Sequence, residues 1–160
     1  VEGGIILACT ALDLIAWTIF VEARHQFTAK EFNDRSMTFE RKMTLLLSEI
    51  HAGMVLPTDL PELSSLAQRF GWSDGPKALA TVRNALVHPN RQERTELLND
   101  AQIPARMQAW TLVMWYLDLI LLWLFGFDGE YSNRVLTWKG GGRGSEVEPV
   151  PWMTAQPRIQ

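Results

Sequence analysis

At 160 residues, with 47% hydrophobic residues, 21% charged residues and a formal net charge of −3, the chain is long enough for one domain with its own core and too apolar for a disordered segment. That balance calls for no nucleic-acid partner by itself. Cys9 is the single cysteine, which excludes an intrachain disulfide and a cysteine-based zinc site and points to a reducing, cytoplasmic setting. His25 and His51 have no neighbour at metal-ligand spacing, so neither a metal nor a cofactor is expected.

The chain opens at Val1 without an initiator methionine, and a further domain upstream in the same polypeptide is expected. Residues 4 to 23 place Ile5, Ala8, Cys9, Leu12, Ile15, Ala16, Ile19 and Phe20 three and four apart, the spacing of an amphipathic helix. Asp13 falls on or beside that apolar face. The stretch has no basic leader and no small-residue cleavage site, so it does not read as a signal peptide. A second helix is expected over residues 28 to 52, with Phe32, Phe39, Met43, Leu46, Leu47 and Ile50 inward and Gly53 as its stop. Two prolines in "MVLPTDLPEL" mark a loop, with Thr58 or Asp59 as cap and Pro61 early in a helix that runs to Phe70 and ends at Gly71.

Pro76 stands at the start of the next helix, which continues until Pro89 forbids it. A helical turn or two follows between Arg91 and Asn99. A long apolar helix is then expected over residues 105 to 125, closed by Gly126. Within it "WTLVMWYLDLILLWLFGF" could span about 27 Å at roughly 1.5 Å per residue. Asp118 in its middle, and tryptophans spread along it rather than gathered at its ends, favour a buried helix, so no membrane partner is expected. Beyond residue 126 Gly, Pro and turn residues take over, with at most one short strand expected, at 135 to 138. The fold class is therefore all-α: a bundle of four to five helices over residues 1–126, and an extended Gly/Pro-rich tail over 127–160 pinned to it by Trp138 and Trp152.

Chemistry concentrates in "VRNALVHPN", residues 82 to 90. Arg83 and His88 are five residues apart, about 140° off alignment on an ideal helix, so they share no face. Pro89, however, biases residue 88 away from α geometry, which frees the His88 ring at a loosened helix end. A histidine can take or give a proton near neutrality, and an arginine presents a planar permanent charge to phosphate oxygens. Together they suit cleavage of a phosphodiester that carries its own nucleophile, the 2′-OH of RNA, without a metal.

"RNALVH" resembles the Arg-polar-x-x-x-His signature of the HEPN domain family, whose members include metal-independent ribonucleases. The helix order around the motif is similar to that family's over residues 4 to 126, and the tail resembles the C-terminal end of HEPN domains in bacterial anti-phage defence proteins. The resemblance implies a HEPN-like bundle in which Arg83 binds the scissile phosphate, His88 is general acid or base and Asn84 is the supporting polar residue. It further implies a homodimer with the two motifs facing across one cleft, an RNA substrate, and a role as a defence or toxin effector. Asp13 is the candidate for an acidic supporting residue on the first helix.

From Arg69 to Arg94 the net charge is +3, which makes Lys77, Arg91 and Arg94 candidates for substrate binding. Plainer readings stand beside these: Arg83 in a surface ion pair, His88 as a C-terminal cap favoured by the helix dipole, and the domain as a non-catalytic module for nucleotide binding or protein assembly. The glycines at 140–142 and 144 lack the lysine and the strand-to-helix setting of a phosphate loop and read as a plain loop.

Overall fold

The computed structural model describes residues 1–88, 92–136 and 147–155, and over these the protein is mostly α-helical, as expected from the sequence. Its axis is α7 (Ile103–Leu124), which buries Ala109, Leu112, Val113, Tyr116, Leu119 and Ile120. Helices α1 (Glu2–Trp17), α3 (Phe39–Glu49), α4 (Pro61–Phe70) and α5 (Gly75–Val87) pack around it, and α1, α3 and α5 also pack on one another. Short elements fill the corners: a π-helical turn Thr18–Ala23 closing α1, α2 (Ala29–Phe32), α6 (Gln92–Leu97), a 3-10 turn Asp100–Gln102 and α8 (Pro151–Ala155).

Close packing of α1 on α7 follows from their small residues. A Cβ at Gly4 would lie 2.7 Å from the Trp110 ring, so only glycine lets the ring lie against α1. Ile5, Cys9, Leu12 and Ala16 are fully buried there, and each large aliphatic among them contributes about 1.5–3 kcal/mol. Segments Glu2–Ala23 and Asp100–Leu124 are each long and apolar enough to cross a membrane by length and composition; in this fold they pack against each other. Asp118, the charge in the middle of the apolar stretch, is paired at 2.6 Å with Arg134 of the tail. Arg106 is the buried charge of α7: it bonds Glu2 at 2.7 Å and the carbonyls of Leu97 and Asn99 at 2.5 and 3.0 Å, tying α1 to the turn that enters α7.

Three expectations need correction. The helix expected over 28 to 52 is two helices, α2 and α3, because "NDRS" offers the backbone better partners than helix continuation does. Thr28 and Glu31 form a reciprocal capping box, the Asp34 carboxylate accepts from the Ser36 amide at 2.8 Å, and Thr38 caps α3 anew. α3 ends at Glu49, short of Gly53, with His51 at φ 54° in the turn that follows, and α4 starts after Leu60 with no side-chain cap. The tail has two strands where at most one was expected: β1 (Glu130–Ser132) pairs antiparallel with β2 (Val147–Pro149), while Val135 sits buried in a turn and residues 137–138 lie outside the described residues.

That ribbon rests on the bundle through Tyr131. Its hydroxyl accepts from the Trp115 indole at 2.8 Å and donates to the Glu148 carboxylate, which also accepts from Asn133. Trp152 donates to the Phe127 carbonyl, a contact between two residues of the tail; Trp138 and the glycines at 140–144 lie outside the described residues.

Candidate functional site

The site is organised by α5. Its first turn is fixed by Asp74, whose carboxylate accepts from the Lys77 amide at 2.8 Å. Its end is fixed from another element. Arg94 of α6 reaches back and donates to the carbonyls of Ala85 and Leu86 at 2.6 and 3.0 Å. Arg94, expected as a substrate contact, caps the helix end here: its guanidinium serves carbonyls that a helix stopping before a proline leaves without amide donors. Arg91 and Pro89 lie outside the described residues.

His88 leaves the helix as the proline rule requires, with φ −113° and ψ 114°, its amide still bonded to the Asn84 carbonyl at 2.9 Å. Its side chain is exposed, whereas Arg83 is half-buried. The Arg83 guanidinium lies over the Phe39 ring, 5.4 Å from its centroid, and makes a long 3.4 Å contact with Asn84 Oδ1. Its Nε is buried without a hydrogen-bond partner among the described residues. One chain thus holds Arg83 and His88 on different faces of the helix end.

Arg83 and Asn84 open onto a cleft of about 440 Å3 between α3, the end of α4 and α5. Lys77, Ala80, Thr81 and Asn84, at helical spacing on one face of α5, make its floor. Phe39 forms one wall; Phe70 and Trp72, stacked at 5.5 Å, form another. Lys77, expected as a substrate contact, is at this cleft but paired at 3.2 Å with Glu40. His88 is not among the lining residues.

Asp13 is paired with Lys42 of α3 at 2.9 Å. Cys9 is buried, and burial pushes its thiol up to about 12; the Arg83 charge opposes the rise and the Asp13 charge adds to it. Asp13 is held by a lysine that sequence reasoning did not single out. Phe39, Glu40, Phe70 and Trp72 were also missed as site residues. They come from the start of α3 and the end of α4, distant in sequence, and the one available signal was the mixing of aromatic with charged residues there, Phe39 beside Glu40 and Arg41, and Phe70 beside Arg69.

Fold and site together define an α-helical domain with a half-buried arginine in a cleft lined by aromatic and charged side chains, and an exposed histidine at the end of the same helix. The chain belongs to the YopA C-terminal domain family, whose model matches residues 1–143. It is similar to the SPbeta prophage-derived uncharacterized protein YopA of Bacillus subtilis (strain 168), with 28% identity over 154 residues. That alignment covers 96% of this chain and 32% of the relative, so the chain spans about a third of that protein's length. No solved structure matches the chain.

Proposed function

We infer that the protein is a metal-independent endoribonuclease that works as a homodimer, in the manner of the HEPN domains its motif resembles. The observation that carries the reading is the split at the end of α5: an arginine without an ion pair among the described residues on one side, an exposed histidine on the other. A second copy, motif facing motif, supplies the histidine and arginine that one copy cannot bring together. One His88 takes the proton of the RNA 2′-OH as its oxygen attacks phosphorus. The bond from phosphorus to the 5′-oxygen breaks, and the second His88 protonates that oxygen. The products are a 2′,3′-cyclic phosphate and a 5′-OH, and no metal enters the balance. Arg83 stabilises the charge on the phosphorane, and Asn84 contacts Arg83 and anchors the His88 amide through its carbonyl.

A relative named as prophage-derived fits an effector of conflict between phage and host, acting on RNA in the cytoplasm. The test is RNA cleavage by the purified protein in EDTA: activity persists there and is lost in His88→Ala. Full cleavage by His88→Ala sinks the reading.

A second reading, a non-catalytic assembly module, is favoured by the outward face of α1, where Leu7 and Leu14 are 72% and 64% exposed on a helix that is apolar nearly all round. A wild-type protein that dimerises by native mass spectrometry yet cuts no RNA supports this second reading.

A further inference from the structure

We propose that the cleft between α3, α4 and α5 is a nucleobase subsite, which seats one unpaired base of the RNA beside the phosphate held by Arg83. The proposal rests on the ribonuclease reading for the identity of the ligand and on the cleft for its placement.

Its volume of about 440 Å3 lies within the range of small-ligand sites. Its walls are planar and apolar, Phe39 from α3 and the stacked pair Phe70 and Trp72 from the end of α4. Between them the floor drops to Ala80, the smallest side chain on that face of α5, which leaves depth for a flat group. A base has a π-face for such walls whatever its identity, and stacking on aromatic side chains is the usual way proteins hold single strands. Hydroxyls of Thr38 and Thr81 line the same space and can meet a base edge. Charge divides the cleft further. Lys77 is paired with Glu40, whereas Arg83, at the other end of the floor, has no carboxylate partner among the described residues. The phosphate therefore goes to Arg83 and the base toward Trp72 and Phe70. A duplex cannot use the subsite, because its bases are paired and stacked on one another.

The experiment measures binding separately from cutting, with the His88→Ala protein in EDTA and a fluorescein-labelled ten-nucleotide oligouridylate, or the same length of blunt RNA duplex. The expected result is preference for the single strand. Phe70→Ala weakens that binding by about 5- to 100-fold, and Phe70→Tyr restores it. Thr81→Trp, which fills the floor from α5 without altering either wall, weakens it similarly, so the result does not depend on Phe70→Ala keeping its fold. Equal binding of duplex and single strand, or single-strand binding untouched by both Phe70→Ala and Thr81→Trp, overturns the subsite. The two readings fail separately. A wild-type protein that cuts RNA while these variants bind normally refutes the subsite alone; one that never cuts while Phe70 and Thr81 govern binding refutes the ribonuclease alone.

Discussion

The two ends of α5 differ in how they are finished. At the first, everything is sealed: Asp74 caps the amides, Gly75 and Pro76 are buried, and the Gly75 amide donates to the Met54 carbonyl at 2.8 Å. A Cβ on Gly75 would stand 2.2 Å from the Tyr116 hydroxyl, so the helix enters the core where only a glycine fits. At the other end Val87 and His88 are exposed, and the last carbonyls are held by an arginine from the next helix rather than by more helix. One end therefore carries stability, and the other spends backbone hydrogen bonds to present a side chain. Substitutions at the two ends ought to separate cleanly into losses of folding and losses of activity.

The largest separation is expected at His88. His88→Ala lowers the rate of RNA cleavage by about 10²–10⁴-fold, the usual contribution of a general acid or base, with the thermal midpoint unchanged because the side chain is exposed. A fall in both together would place His88 in the folding half of the comparison. Gly75→Ala should behave oppositely. It costs about 1–3 kcal/mol by overpacking against Tyr116, read as a lower urea midpoint, while cleavage per folded molecule stays constant.

Arg94→Ala tests the border between the two classes. Removing charged donors from two carbonyls at the end of α5 costs about 1.5 kcal/mol and loosens the segment that presents His88, so both stability and cleavage fall. The salt dependence of RNA binding distinguishes a cap from a substrate contact. Its slope stays at the wild-type value in Arg94→Ala and drops by about one in Arg83→Gln. A slope that falls in Arg94→Ala would return that residue to the phosphate.

Those contrasts also explain what could be read in advance. Pro76 and Pro89 bracket α5 in the sequence, and the φ restriction of proline acts locally, so the helix and the release of His88 were both legible. The role of Arg94 was not, because its partners are backbone carbonyls nine and eight residues earlier and no side-chain pattern marks them. The cleft was invisible for a related reason: Phe39 and Phe70 meet Arg83 and Lys77 only after three helices pack, and nothing in the spacing of any one helix couples them. The split of the second helix hid in a polar run that suits an exposed helix face as well as a turn. Asp13 was legible as a charge out of place on an apolar face. Its holding by Lys42 needed the approach of α3.

The smallest effect is the most diagnostic of the sealed end. The Tyr116 hydroxyl is buried without a hydrogen-bond partner among the described residues, and burial together with the nearby Asp74 charge raises its pKa well above the ordinary tyrosine value. Tyr116→Phe removes a desolvated polar group and breaks no bond in this structure, so stability changes by about 0 to 1 kcal/mol in the stabilising direction. The same change deletes the atom that a Gly75 Cβ would strike. Gly75→Ala should therefore cost less in the Tyr116→Phe background than in the wild type, a positive coupling readable from four urea curves. If Tyr116→Phe instead costs more than about 1 kcal/mol, the hydroxyl has a partner that matters. The fit of Gly75 would then be only one part of what closes this end of the helix.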